Sequence, residues 1–321
     1  MTTAKCPKTV CVFGDIMLDT YVHCIPTKVS SESPVLVCRY ERRSCCPGGA
    51  GNVAANLKVG FGYNVKLVGM IGEDYNGDLL TSLFKYQGIE DFTIKSRDWT
   101  TIEKRRFVDQ SGRQMLRVDT EGLPTVQPNY ALLDMAQDDN IDTLVISDYG
   151  KGTCTPESIV FAIKVFRDRG KYVIVNGKPD NLPHYYWANL LVFNLAEAEA
   201  AWEQFGPGSG NYEQWNGRDI ASLAGMLYKF INGGVTIREN KTDVLITCGD
   251  LGMELWNSEG PWRQSAIPVK VADVAGAGDT VVATIAAHGE CNRGILKIAA
   301  TLAAEVVSQH GTSICAGKGW V

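Results

Sequence analysis

The alternation of short apolar runs rich in β-branched residues with longer helical segments most constrains the fold of this chain. Strands that alternate with helices in this way form a mainly parallel sheet covered by helices on both faces. We therefore predict a single α/β domain over residues 1–321. The predicted strands are 9–13, 65–72, 142–148, 172–176, 190–194, 244–249 and 253–256, and the predicted helices are 75–87, 155–169, 195–204, 217–231, 277–288 and 293–308.

Two stretches depart from this alternation and predict a small β-sheet lid inserted in the domain. Residues 20–42 include the alternating run 35–40. Residues 91–119 include K-R-R-F-V-D and Q-M-L-R-V-D, with a turn at Ser111-Gly112. Alternating runs separated by a turn indicate antiparallel strands, and we expect these to lie outside the main sheet.

Composition and charge exclude several classes of protein. The net charge of −5 comes without a basic stripe, which argues against nucleic acid as a partner. No apolar stretch has the roughly 18–20 residues of a membrane span, and the first ten residues lack an apolar signal region. Ten cysteines without a C-x-x-C pair, and only four histidines, argue against structural zinc. We expect a cytoplasmic protein with reduced thiols.

Several polar residues and one glycine follow predicted strands directly. In open α/β sheets ligands bind beyond the carboxyl ends of the strands, so these residues are expected to converge on one crevice. The residues at these strand ends are Asp15, Asp148, Asn176, Asn194 and Gly249.

The run D-V-A-G-A-G-D-T, residues 273–280, comes directly before a predicted helix of small apolar residues. The first N–H groups of a helix have no partner within it, so those of Gly276, Ala277 and Gly278 are expected to form an anion site. Asp279 has two interpretations. It is either a first-turn acid that complements the helix dipole or a base that accepts a proton from an attacking hydroxyl during phosphoryl transfer.

Two common nucleotide-binding motifs are absent from this sequence or poorly placed in it. The P-loop pattern G-x-x-x-x-G-K-[ST] is absent. The run G-A-G-N-V-A, residues 49–54, fits a loose dinucleotide fingerprint, but Cys45-Cys46-Pro47 precedes it where a buried strand is needed. A dinucleotide site is therefore disfavoured.

Two glycine-rich motifs resemble the signatures of a known family. D-V-A-G-A-G-D-T (273–280) and P-G-G-A-G-N-V-A-A-N-L (47–57) resemble the C-terminal and N-terminal signatures of the ribokinase-like (PfkB) carbohydrate kinases. The resemblance covers residues from about 8 to 315. Further blocks resemble the D-glycero-β-D-manno-heptose-7-phosphate kinase branch, at 14–21, 30–35, 116–119, 145–152, 193–200 and 310–313.

The resemblance implies a ribokinase-like fold and an ATP-dependent, Mg²⁺-requiring sugar kinase, with a monovalent cation as a further candidate cofactor. Its preferred substrate would be D-glycero-D-manno-heptose 7-phosphate, phosphorylated at the anomeric hydroxyl on the route to ADP-heptose, a lipopolysaccharide precursor. It also implies a homodimer formed through the β lid. The alternatives are another sugar or sugar-phosphate kinase of the family and a catalytically silent sugar-phosphate-binding relative.

The same resemblance implies the role of each site residue. Asp279 would be the base, and the amides of Gly276, Ala277 and Gly278 the anion hole. The sugar hydroxyls would be held by Asp15, Asp19, Gly48, Gly49 and Asn52, and the substrate phosphate by Lys104, Arg106 and Arg117, with Asp148 also on the substrate side. The nucleotide side would comprise Asn176, Lys178, Asn194, Glu197, Thr247, Gly249 and Gly252, with Glu197 holding Mg²⁺ through water.

Five of these residues keep an ordinary alternative. A solvated strand face also accounts for Lys104, Arg106 and Arg117, an exposed first-turn acid for Glu197, and a capping aspartate for Asp148. The chain departs from the branch at Asn176-Gly177-Lys178-Pro179, where the branch has D-P-K-G, and at Cys248, where it often has a basic residue. No H-x-G-H nucleotidyltransferase motif occurs, so we expect a kinase alone or the kinase half of a bifunctional enzyme.

Overall fold

The computed structural model describes residues 9–121, 129–206, 219–233, 241–309, 311 and 314. The start of the predicted helix 217–231, most of the loop 205–216 and most of the block 310–313 lie outside these residues. The strands are Thr9–Val29 (β1), Leu36–Gly49 (β2), Asn64–Gly72 (β3), Glu90–Asp91 (β4), Ile94–Ser96 (β5), Ile102–Val108 (β6), Gln114–Thr120 (β7), Ile141–Ser147 (β8), Tyr172–Asn176 (β9), Leu190–Asn194 (β10), Asp243–Thr247 (β11), Met253–Asn257 (β12) and Gly260–Gln264 (β13).

The α-helices match most of the predicted segments. They are Ala50–Ala55 (α1), Tyr75–Gln87 (α2), Asn129–Gln137 (α3), Pro156–Arg167 (α4), Leu195–Phe205 (α5), Ile220–Ile231 (α6), Ala277–His288 (α7) and Arg293–Val307 (α8). A π-helical turn over Asn56–Gly60 continues α1. Helix α3 and strand β13 were not predicted.

The main sheet has the order β13-β12-β11-β10-β9-β8-β1-β3-β4. The neighbouring pairs from β11 to β4 are parallel, and β12 and β13 join the other edge as antiparallel strands. The prediction of a mainly parallel α/β sheet is therefore confirmed.

Alternate residues of β1 face opposite layers of helices. Val10 and Val12 belong to a core that includes α7 and α8, whereas Cys11 and Phe13 belong to a core that includes α4, α5 and α6. A fully buried side chain of this size contributes about 1.5–3 kcal/mol. Burial on both faces explains why the central strands are almost continuously apolar.

Strand β1 takes part in two sheets. Its first part, to Asp15, pairs with β3 in the main sheet, and from Ile16 it pairs with β2 in a small sheet of order β2-β1-β6-β7. The bounds of the small sheet differ from those predicted, because β4 and β5, within 90–96, pair with β3 instead. Strand β6 also runs parallel to β1 rather than antiparallel. Gly14-Asp15 lie directly before the crossing and predicted the end of a strand, but the chain continues through them in one 21-residue strand.

Candidate active site

A cleft of about 190 Å³ opens at the carboxyl ends of the central strands, beside the start of α7. The strands β8 to β11 end next to it, and three of the five predicted strand-end residues, Asp148, Asn176 and Asn194, line it. Its lining residues are Asp148, Tyr149, Asn176, Gly177, Lys178, Val192, Asn194, Glu197, Thr247, Gly276, Gly278 and Asp279. Of the strand-end residues, Asp15 and Gly249 lie outside this lining.

The first turn of α7 presents free backbone donors to the cleft. Gly276 is the N-cap, with a φ of 86° that favours glycine. Within the described part of the chain, the N–H groups of Gly276 and Gly278 have no acceptor. Ala277 differs, because its N–H makes a long 3.4 Å bond to the carbonyl of Val274. Two of the three predicted donors are thus available to an anion, and the positive end of the helix dipole faces the same space.

Asp279 lies beside these donors with only 6% of its surface exposed. Its Oδ1 accepts from the hydroxyl of Tyr149 at 2.6 Å, and its Oδ2 accepts from the side-chain amide of Asn52 at 2.8 Å. Burial raises the pKa of Asp279 to about 6, although both hydrogen bonds oppose the shift. A carboxyl group with this pKa ionises just below neutral pH, as a general base requires.

The N-terminal glycine motif supports Asp279 and Asp19. Asn52 is buried in α1, and the amide of Asn56 donates to its side-chain oxygen at 3.2 Å, so Asn52 is oriented to donate to Asp279. Gly48 passes so close to Asp19 that a Cβ would lie 2.4 Å from its Oδ2. Gly49, the residue before α1, has a φ of 57°. These contacts explain why the motif needs glycines followed by asparagine.

One face of the small sheet carries four of the nine predicted substrate residues. Arg106 Nη1 lies 2.5 Å from Asp19 Oδ1, and both side chains are largely buried. Lys104 Nζ lies 5.3 Å from the centre of the Tyr149 ring, and burial lowers its pKa. Arg117 lies opposite Arg106 on the neighbouring strand. Its guanidinium donates twice to Asp119 and is half exposed, as the strand-face alternative predicts.

Asp15 and Asp148 hold the loop after β8 rather than facing the cleft freely. Asp15 is fully buried, and its oxygens accept from the N–H groups of Tyr149, Lys151 and Thr153 at 2.8–3.0 Å. Asp148 accepts from Tyr185 at 2.7 Å, besides bonds from an asparagine side chain and a loop amide. These contacts favour positioning over direct sugar contact for both. Cys154 lies near this pair, but the donors already directed at the two carboxylates do not fit a metal ion.

The residues predicted for the nucleotide side include one lysine and one glutamate that contact each other. Lys178 forms an ion pair with Oε1 of Glu197, and its Nζ lies 5.6 Å from the Tyr149 ring centre. Asn194 and Glu197 form a capping box at the start of α5, each bonding the other's backbone N–H at 2.9 Å. The N-x-x-E spacing thus has a local structural cause. The carboxylate lines the cleft, and its Oε1 would fit a hydrated Mg²⁺ ion if Lys178 moved from it to a phosphate.

The four remaining residues predicted for the nucleotide side, after β9 and β11, divide between the cleft and a neighbouring turn. Asn176 and Thr247 line the cleft. Gly249 and Gly252 lie in the turn after β11, both with positive φ. A Cβ on Gly252 would lie 2.0 Å from the carbonyl of Gln264. Gly252 therefore has a packing role whatever it contacts in addition.

Tyr149 is a cleft residue that the sequence analysis did not predict. Its ring lies near the ammonium groups of Lys104 and Lys178, and its hydroxyl bonds to Asp279 across 130 positions of the chain. One sequence feature could have indicated it: Tyr149 lies in S-D-Y-G-K-G, directly after a buried strand. No local pattern could show that its hydroxyl reaches α7.

No helix in the described ranges combines the length and apolarity needed to cross a bilayer.

A family model described as "pfkB family carbohydrate kinase" matches residues 7–318. The chain is 36% identical over 315 residues to the "Bifunctional protein HldE" of Gluconobacter oxydans, covering 95% of this chain and 62% of that protein. It is 35% identical to the HldE of a Caulobacter species, covering 98% and 63%. The chain thus spans less than two thirds of the length of these relatives.

Solved structures are similar to the whole chain. Phosphofructokinase-2 from Escherichia coli in complex with potassium superimposes with a TM-score of 0.76 at 19% identity, covering 97% of this chain and 96% of that one. A ribokinase from Arabidopsis thaliana, complexed with ribose and ATP, gives a TM-score of 0.69 at 20% identity with the same coverage. The fold is therefore ribokinase-like, as predicted.

Proposed function

The chain belongs to the pfkB family of carbohydrate kinases, and from this premise we propose that it transfers the γ-phosphoryl group of ATP to the anomeric hydroxyl of a heptose 7-phosphate. The sugar-kinase class follows from the family. The heptose substrate rests on the sequence blocks that resemble the heptose kinase branch and on the HldE relatives. Another sugar or sugar phosphate remains the alternative acceptor.

The observation that supports this proposal best is the position of Asp279 beside the free amides of Gly276 and Gly278. Asp279 takes the proton as the sugar O–H bond breaks. A bond forms between the sugar oxygen and the γ-phosphorus, the bond from that phosphorus to the β–γ bridging oxygen breaks, and ADP leaves. The two amides and the helix dipole stabilise the charge on the phosphoryl oxygens, where one donor is worth about 3 kcal/mol.

The acceptor would lie between Asp279 and the small sheet. Asp19 is close enough to Asp279 to raise the pKa of that carboxyl group, and Arg106 forms a buried ion pair with Asp19. Lys104 offers an ammonium group with no hydrogen bond or ion pair in the described part of the chain, and Arg106 a guanidinium suited to phosphate. We assign the phosphate already on the sugar to these two cations, with Arg117 as an outer contact.

ATP would bind along the opposite side, with its phosphates between α7 and Lys178. Lys178 can leave Glu197 to contact a phosphate, and Glu197 and Asn194 would then hold Mg²⁺ through water. When bound, Mg²⁺ neutralises charge on the phosphate chain. A monovalent cation remains a further candidate, since the E. coli relative was solved with potassium.

A second copy of the chain is the proposed partner. Strand β7 lies at the edge of the small sheet, and its alternate residues Leu116 and Val118 are 56% and 45% exposed. Exposed apolar residues on an edge strand favour association with another chain. The resemblance implies that this partner is a second lid, and light scattering of wild type and Leu116→Asp would test it.

ADP release in the presence of Mg²⁺ tests the proposed activity. The acceptor panel comprises heptose 7-phosphate, unphosphorylated heptose, fructose 6-phosphate, ribose and fructose. We expect the highest kcat/KM with heptose 7-phosphate and a large loss without its phosphate. A higher kcat/KM with ribose or fructose would contradict the heptose assignment while leaving a sugar kinase. Binding of heptose 7-phosphate without ADP release from any acceptor would instead identify a silent relative.

A further inference from the structure

Tyr149 connects the reacting carboxylate with both sides of the cleft. Its hydroxyl donates to Oδ1 of Asp279 at 2.6 Å. Its ring lies near the ammonium of Lys104, on the substrate side, and that of Lys178, on the nucleotide side. The contact to Asp279 is a specific side-chain bond between a loop and a helix that are remote in sequence.

We propose that Tyr149 is a positioning residue for Asp279, which fixes its carboxylate toward the acceptor hydroxyl and favours its ionised form. This inference rests on the proposed function, because it assumes that Asp279 is the base. Tyr149 lies outside both glycine motifs and outside the first turn of α7, so its role is additional to theirs.

The carboxylate of Asp279 is held at both oxygens. Asn52 donates to Oδ2 and Tyr149 to Oδ1, so the group cannot rotate without losing a hydrogen bond. Each carboxylate oxygen has two lone-pair directions, and one on each remains for an incoming hydroxyl. The clamp therefore orients the base without blocking it.

Tyr149 is itself held by the loop that carries it. Its N–H donates to Oδ2 of Asp15 at 2.8 Å, and that carboxylate also accepts from Lys151 and Thr153. Asp15 is fully buried in β1. The buried strand thus fixes the backbone of Tyr149, and the fixed backbone holds the Tyr149 hydroxyl in place against Asp279.

The charges around Asp279 allow this role. The groups facing it are Asn52 from α1, Tyr149, Lys104 from β6 and Asp19 from β1. The hydrogen bond from Tyr149 lowers the pKa of Asp279, whereas burial and Asp19 raise it. Burial and Asp279 hold the pKa of Tyr149 well above its usual value, so its hydroxyl stays a donor.

Tyr149→Phe removes the hydroxyl and keeps the ring. Tyr63→Phe is the matched control, because the buried Tyr63 hydroxyl donates to the carbonyl of Ala287 at 2.6 Å, at the other end of α7. We expect Tyr149→Phe to lower kcat about 10-fold or more and to move the acid limb of kcat/KM to higher pH. Tyr63→Phe should lower the melting temperature and leave the pH profile unchanged.

Two outcomes would overturn the inference: wild-type kcat with an unmoved acid limb in Tyr149→Phe, or the same profile in both variants. If Tyr149→Phe does not fold, 3-fluorotyrosine at position 149 keeps the side-chain size and strengthens the donor. The acid limb should then move to lower pH, and an unmoved limb would overturn the inference. Asp279→Asn separates the two claims: full activity there rejects the proposed base, whereas an inactive Asp279→Asn with an unshifted Tyr149→Phe rejects only the role of Tyr149.

Discussion

The side-chain amide of Asn52 donates to Oδ2 of Asp279 at 2.8 Å, across 227 positions of the chain. Asn52 belongs to the N-terminal glycine motif, and Asp279 to the motif at the start of α7. The two motifs therefore meet at one site, in which the first supports the proposed base of the second.

Gly48→Ala should damage acceptor binding through Asp19. The new Cβ would lie 2.4 Å from Asp19 Oδ2 and 2.9 Å from the Met17 side chain, so the carboxylate must move. A displacement of about 1 Å in an active site can lower the reaction rate about 100-fold. We expect kcat/KM for the acceptor to fall about 10- to 100-fold while the KM for ATP changes little. Gly294→Ala, in the exposed first turn of α8, is the control; equal losses in both variants would contradict the close-approach argument.

Most of the main sheet could be predicted from sequence, and the small sheet could not be placed accurately. The parallel strands are buried on both faces, so apolar runs such as Val10–Phe13 mark them directly. The crossing of β1 at Asp15-Ile16 carries no such mark, because the same strand simply changes partners. The hydrogen bonds from Tyr149 to Asp279 and to Asp15 could not be predicted from sequence either, because they join residues that are distant in the chain. The capping box at Asn194 shows the converse case, in which a motif expected for metal also has a local cause.

Arg106→Ala and Arg117→Ala should separate a buried ion pair from an exposed one. Arg106 and Asp19 are 13% and 7% exposed, and removing one partner of such a pair costs about 3–5 kcal/mol. Arg117 and Asp119 are 49% and 26% exposed, where the cost is about 0.2–1 kcal/mol. We expect a large loss of unfolding free energy and a raised acceptor KM for Arg106→Ala. For Arg117→Ala we expect little loss of stability and a KM increase confined to phosphorylated acceptors. Urea unfolding and steady-state kinetics measure both, and equal losses of stability would refute the distinction.

Glu197→Gln should raise the Mg²⁺ concentration needed for half-maximal activity. The substitution removes the charge that faces Lys178 and that would hold a hydrated ion. Loss of such an outer contact typically costs about 10- to 100-fold in metal affinity. Glu203→Gln, exposed on the same helix, is the control and should match wild type. Equal Mg²⁺ dependence in wild type and Glu197→Gln would leave Glu197 with its capping role alone.

Asp279→Asn should abolish turnover and retain binding, because it removes the base but keeps the size of the side chain. A general base contributes about 10²–10⁴-fold, so kcat should fall by at least that range while calorimetry still detects the acceptor. The pKa of Asp279 is raised to about 6. Its ionised fraction therefore falls as the pH drops through 6, and wild-type kcat/KM should decrease about tenfold per unit below that value. The residual rate of Asp279→Asn should lack this limb, whereas Asp168→Asn, exposed after α4, should retain it. An identical acid limb in Asp279→Asn and wild type would assign the titration to another group and remove Asp279 from the proton transfer.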